Sequence, residues 1–185
     1  NNPSLYKTAY EEYFIETADL RENPRDKETI WQGHQKTASH FVIRGLPVQG
    51  GGYMAGEVPT QELVDAYDML ATGKPVLNLA KPYNDETKLQ PNYNPGSGYD
   101  PQNPYEGRDP RFYASIHFNG STVLVNGTPI KVETFVGGNC GISNDRSHTR
   151  TGYYNRKYMH PEAGQLRPQD DGLWKHYRLG AVYLN

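Results

Sequence analysis

The sequence predicts a loop-rich α+β domain with short helices and a small antiparallel β-meander, packed with tyrosine more than with aliphatic side chains. Three observations carry this expectation. Nineteen glycines and 14 prolines in 185 residues interrupt regular structure at short intervals. Leu, Ile, Val and Phe together number 34, just under the roughly 20% below which a highly charged chain stays disordered. The formal net charge is only −2, and 15 tyrosines supply the missing bulk.

The elements are taken in chain order. Residues 4–14 read as a short helix, because Leu5, Tyr6, Ala9, Tyr10 and Tyr13 share one helical face. Asn23-Pro24 ends the segment after that helix, since proline disfavours a helical residue before it. Residues 28–35 read as a strand around Ile30 and Trp31, and Phe41-Val42-Ile43 as a second apolar run stopped by Gly45 and Pro47. Gly50-Gly51-Gly52 is a flexible stretch. Thr60 is the expected N-cap of a helix over residues 61–70, with Leu63, Val64, Tyr67 and Leu70 as its buried stripe and Gly73 and Pro75 as its stop. Residues 81–110 form a loop far longer than is usual inside a compact domain. Its tyrosines (Tyr83, Tyr93, Tyr99, Tyr105) favour an ordered loop lying on the surface.

Asp109-Pro110 reads as an N-cap followed by proline at the first helical position. Residues 115–118, 121–125 and 129–135 then read as a three-stranded meander. Asn119-Gly120 and Asn126-Gly127 supply the positive φ angles of its turns. Residues 137–141 are a loop. At the end of the chain Leu173, Trp174, Tyr177, Ala181 and Leu184 fall on one helical face, a stripe that runs out at Asn185 without a cap.

Several function classes are excluded or weakened. No stretch approaches the roughly 18 apolar residues of a membrane helix. With 19 basic against 21 acidic residues there is no electrostatic footprint for nucleic acid. A single cysteine, Cys140, rules out an internal disulfide, and no spacing gives it a histidine base. Gly50, Gly52 and Ala55 match a dinucleotide fingerprint only formally, since Pro47 and Pro59 flank them where a strand and a helix are needed. The six histidines show no zinc spacing, so no metal and no cofactor are expected. Glu57, Glu62, Asp170 and Asp171 are the acids available to a glycosidase pair, with solvated surface roles as the default. What remains is tyrosine among Asn, Gln, Asp and Arg in long loops. Sugar rings offer apolar C–H faces to aromatic rings and hydroxyls to planar amide, carboxylate and guanidinium groups.

Five segments resemble the SusD/RagB family, in order along nearly the whole chain. They are Glu28-Thr29-Ile30-Trp31, Val58-Pro59-Thr60-Gln61-Glu62-Leu63-Val64-Asp65-Ala66-Tyr67-Asp68-Met69, and Asn103-Pro104-Tyr105-Glu106-Gly107-Arg108-Asp109-Pro110-Arg111-Phe112-Tyr113-Ala114. Thr151-Gly152-Tyr153-Tyr154-Asn155-Arg156-Lys157-Tyr158 and Tyr177-Arg178-Leu179-Gly180-Ala181-Val182-Tyr183-Leu184-Asn185 complete the set. Ala181, where the family usually carries Glu, and Gly180 inside the expected helix depart from the pattern.

The resemblance implies a parent fold that is mainly α-helical, a tetratricopeptide-like superhelix, with this region irregular. Residues 1–185 are then expected to be a single-domain fragment lacking the lipidation region, most of those helices and the C-terminal end. The implied function is non-enzymatic: glycan binding at the cell surface, as the lid of a TonB-dependent outer-membrane transporter, with a lipid anchor outside this chain. A peptide or glycopeptide ligand on the same scaffold is the alternative, and a carboxylate-pair glycoside hydrolase a third reading. The family's glycan contacts have no fixed motif. Tyr105, Arg108 and Asp109 are therefore assigned to the fold, with Asp109 as cap and Arg108 or Arg111 as its ion-pair partner. Trp31 is assigned to the core. The expected ligand-binding residues are Tyr83, Tyr93 and Tyr99 in the long loop, with Tyr53 beside the glycine run.

Overall fold

The structure, a computed structural model, describes residues 10, 13, 26–36, 45–50, 54–125, 127–157 and 173–184. Among these the chain runs through strand β1 (Thr29–Lys36), a 3-10 turn (Val48–Gly50), helix α1 (Gln61–Asp65) and helix α2 (Pro110–Ser115). Strands β2 (Ile116–His117), β3 (Thr122–Val125), β4 (Thr128–Lys131), β5 (Tyr154–Asn155) and β6 (Leu173–Arg178) come next, then helix α3 (Leu179–Leu184). The strands pair two by two, antiparallel, as β1–β6, β2–β5 and β3–β4. Most of the expected helix over 4–14, the run at residues 41–43 and the acids Asp170 and Asp171 lie outside the described residues. No helix among the described residues is long and apolar enough to cross a membrane.

Both expected helix caps are present. The Thr60 hydroxyl accepts from the Leu63 amide at 3.3 Å, and the Asp109 carboxylate accepts from the Arg111 amide at 2.8 Å with Pro110 in the first turn. Arg111 also grips Asp109 through its guanidinium at 2.6 Å. That hydrogen bond is the main reason the Asp109 carboxyl titrates below its ordinary range.

Helix α1 is shorter than expected and ends at Asp65. Arg108 is the physical reason. Its guanidinium is 1% exposed and donates to the carbonyls of Val64 (2.6 Å), Tyr67 (2.9 Å) and Pro104 (2.9 Å). Two of those carbonyls are turned to the guanidinium just where the helix stops. Arg108 is thus a backbone clamp and forms no ion pair with Asp109. Beyond the helix, Gly73 (φ +61°) closes a tight turn by donating to the Met69 carbonyl at 2.8 Å. Of the expected stripe, Val64 is buried and Tyr67 half-buried, whereas Leu63 and Leu70 face outward.

The expected three-stranded meander is not what forms. Only the second Asn-Gly makes a hairpin, with Gly127 at φ +75° between β3 and β4 and Pro129 opposite Leu124. The first turn does fold, and Gly120 donates to the Val132 carbonyl. But β2 pairs with β5 from the Tyr153-Tyr154-Asn155 run, aligning His117 with Tyr154. The terminal stripe divides too: Leu173–Arg178 is a strand on β1, and only Leu179–Leu184 is helical. Glu28 fastens this junction, bonding Arg178 at 2.8 Å and the Gly180 amide at 2.9 Å. Trp31 is not core; it is 60% exposed and stacks on His176 with ring centroids 4.6 Å apart.

Three small apolar nuclei hold the described body together. Ala55, Val123, Val132, Cys140 and Tyr154 form the first, Val64, Phe112, Ile116 and Tyr153 the second, and Met69, Val76 and Leu77 the third. Tyrosine does supply the missing bulk, and its hydroxyls serve the backbone: Tyr154 donates to the Cys140 carbonyl (3.0 Å) and Tyr113 to the Tyr105 carbonyl (2.7 Å). Cys140 is wholly buried, and burial raises its thiol pKa, as suits a packing residue.

This packing has two measurable outcomes. Arg108→Met strands the Tyr67 and Pro104 carbonyls at roughly 1–3 kcal/mol each, so urea unfolding should show a loss of about 2 kcal/mol or more. A loss below about 1 kcal/mol would mean the clamp is dispensable. Burial, aided by Arg156, pushes the His117 imidazole down to about 3. The unfolded chain therefore takes up a proton near pH 6.5 that the folded chain refuses, and stability falls as pH drops from there toward 3. Thermal melts of His117→Phe should lose that part of the acid sensitivity.

Candidate functional site

The long loop is ordered by its own polar side chains. Asn94 donates to the Pro75 carbonyl (3.2 Å) and Asn92 to the Lys81 carbonyl (2.8 Å), while the Asp85 carboxylate accepts from the Gln90 amide (2.9 Å). Single bridges join Leu77 to Tyr93 and Tyr83 to Pro91. The loop is thereby pinned over the Met69–Val76–Leu77 nucleus, and Tyr83, Tyr93 and Tyr99 all pack on that nucleus, half-buried.

The structure brings these three predicted residues together. Tyr93 and Tyr99 lie 5.0 Å apart by ring centroid, tilted by 44°. The Arg108 guanidinium carbon stands 5.6 Å from the Tyr99 ring, and the Lys88 ammonium 5.8 Å from that of Tyr83. None of the three phenolic hydroxyls has a hydrogen-bond partner among the described residues, unlike those of Tyr113, Tyr153 and Tyr154. Tyr53, the fourth predicted residue, lies outside the described residues.

Helix α1 supplies the acidic side of this surface. Gln61 donates to the Asp65 carboxylate at 2.9 Å and accepts from the Tyr153 hydroxyl at 2.9 Å. Burial raises the Asp65 pKa against that hydrogen bond and the attraction of Arg108. Asp65 in turn acts on all three tyrosines. Each is raised first by burial, with the Asp65 charge adding to it, and Tyr99 reaches about 12. Glu62 pairs with Lys88 at 3.6 Å across an exposed edge.

Together these residues make a face of aromatic rings with unused hydroxyls, under the influence of the buried Asp65 carboxylate. Such a face can stack on an apolar ring and exchange hydrogen bonds with hydroxyl groups. Gln61 and Asp65 escaped the sequence reading as site residues. Their spacing of four on a capped helix was the available signal, since it places both on one face.

The raised phenols have a measurable consequence. Folded Tyr99, and folded Tyr154 in the first nucleus, keep their protons to about pH 12. Unfolded tyrosine ionises near 10, so stability should fall as pH rises from about 10 to 12. Chemical unfolding in that range checks the sign, and Tyr99→Phe should blunt the fall. A flat profile would contradict the burial assigned to these rings.

The chain matches the family model described as "SusD family" over residues 15–185. Its fold is similar to a SusD-like protein from Bacteroides fragilis, with TM-score 0.64 and 24% identity over 95% of this chain and 33% of the other. It is also similar to a structure from the same organism described as a SusD-like carbohydrate binding protein, with TM-score 0.60 and 22% identity over 95% and 31% of the two chains. The chain therefore spans about a third of the length of the structures it matches. No curated protein matches it significantly.

Proposed function

The chain belongs to the SusD family, and from that premise we propose that it binds glycan, with Tyr83, Tyr93 and Tyr99 as stacking residues. The observation that carries this reading is the ordered tyrosine face whose hydroxyls the described protein leaves unused. A sugar ring laid on Tyr83 or Tyr93 covers an apolar surface. Its hydroxyls then meet the unused phenols, each of which can both accept and donate. The loop is already folded, so ordering it adds little to the cost of binding. One structural relative is described as carbohydrate binding, which agrees with the reading.

At the level of the whole protein the proposal is a cell-surface role. The protein is held at the outer membrane by a lipid anchor and serves as the lid of a TonB-dependent transporter, without catalysis of its own. Tyr53 belongs to the same ligand surface in this proposal.

Calorimetry against a panel of oligosaccharides tests it. Tyr83→Ala should weaken binding by about tenfold, the upper range for one aromatic contact. Tyr93→Phe and Tyr99→Phe, which keep the packing, should each cost a few-fold through the lost hydroxyl. Unchanged affinity in all three variants would remove the tyrosine face from the site. Release of shortened sugar would replace binding by hydrolysis, and saturable binding of peptides alone would move the ligand class.

A further inference from the structure

A concave site that shares no residue with the tyrosine face lies against the first apolar nucleus. It is a cleft of about 400 Å³ lined by Met54, Ala55, Gly56, Glu57, Arg146 and Arg150, within the roughly 300–1,000 Å³ range of small-molecule sites. One wall is the extended segment at 54–57, the other the loop that precedes β5. The Ala55 amide donates to the Arg146 carbonyl at 2.9 Å and joins the two, while the buried Ala55 makes an apolar floor.

The loop wall is held in shape from below. Thr149 is fully buried; its amide donates to the Tyr154 hydroxyl at 3.0 Å, and its own hydroxyl bonds the Tyr153 carbonyl at 2.8 Å. The arginines on either side of it are exposed. Each of the other described arginines is committed: Arg108 to three carbonyls, Arg111 to Asp109, Arg156 to the Tyr113 carbonyl and Arg178 to Glu28. Arg150 gives one N–H to the Ser143 carbonyl. No carboxylate among the described residues comes within ion-pair distance of Arg146 or Arg150.

The cleft is not a bare cationic patch. Glu57 stands on its far wall, and Asp145, next to Arg146, keeps its carboxylate on the Ser147 amide at 2.7 Å. Two guanidiniums with donors to spare line a small volume beside Glu57, which is already engaged and keeps further carboxylate acceptor sites. A planar acid group suits the guanidiniums, and a hydroxyl-rich body suits the acceptor.

We infer that this cleft takes an acidic sugar residue, its carboxylate or sulfate held by Arg146 and Arg150 and its hydroxyls facing Glu57. The inference rests on the glycan reading above and narrows it to acidic glycans. It makes the tyrosine face the general sugar contact and the cleft the element that selects charge.

A glycan array bearing each uronic acid or sulfated oligosaccharide beside its carboxyl-reduced or desulfated form tests it on the protein. Acidic forms should bind at least about tenfold tighter than their neutral partners, and the preference should shrink as salt rises. Arg146→Gln/Arg150→Gln, with an unchanged thermal midpoint, should bring acidic forms down to the level of neutral ones. Arg146→Lys/Arg150→Lys should keep part of the preference, and Tyr83→Ala should weaken both forms alike. Equal binding of acidic and neutral forms by the protein would overturn the acidic-sugar inference and leave the glycan reading standing, as would a preference that survives the double Gln variant. Binding of neither form would overturn both. Whether carboxylate or sulfate is the natural group is read from which pairs show the difference.

Discussion

A buried positive charge organises the middle of this chain. No carboxylate among the described residues comes within ion-pair distance of Arg108; it is stabilised by carbonyl dipoles from the end of α1 and from the approach to α2, and by the faces of Tyr99 and Phe112 at 5.6 and 5.0 Å. A guanidinium tolerates this because its planar fork reaches several acceptors at once and its hydration is weak. The surrounding structure is arranged to meet that requirement. Helix α1 stops where its carbonyls are needed, the loop returns so that Tyr99 can lie beside the charge, and Phe112 brings α2 in on the other side.

What was legible in the sequence was local. Thr60 and Asp109 announce helix starts because a cap is a bond between residues two or three apart. Asn126-Gly127 announces a hairpin for the same reason. The pairing of β2 with β5 is a long-range choice between strands of similar character, and the intervening hairpin gives no hint of it. Strand β6 misled because Leu173, Trp174 and Tyr177 fit a helical spacing, while pairing to β1 decided their conformation. Of the two arginines offered as partners of Asp109, Arg111 is the one that pairs; the carbonyl role of Arg108 was not legible, since carbonyls leave no mark in a sequence. Trp31 shows the opposite failure: its residue type argued for burial, and the fold leaves it stacked on His176 at the surface.

The candidate sites divide along the same line. Tyrosines in a loop of Asn, Pro and Gly stand out by composition, so Tyr83, Tyr93 and Tyr99 could be named in advance. The structure adds why they are placed together: the loop's own amide side chains anchor it to a three-residue nucleus. The cleft at Arg146 and Arg150 could not be named, because a charged loop residue reads as solvated until the opposite wall is known. That wall lies far earlier in the chain, reached through the Ala55 amide.

The sheet formed by β1 and β6 has a consequence for how the chain is made. Glu28 and Arg178, which fasten it, are 150 residues apart. At about 5–20 residues per second of synthesis, β1 leaves the ribosome roughly seven to thirty seconds before its partner exists. Through that interval a strand carrying Ile30 and Trp31 presents unpaired backbone groups to every other nascent chain. Strand β1 is therefore made early and placed late, and its exposure is an aggregation hazard that production of the protein has to survive.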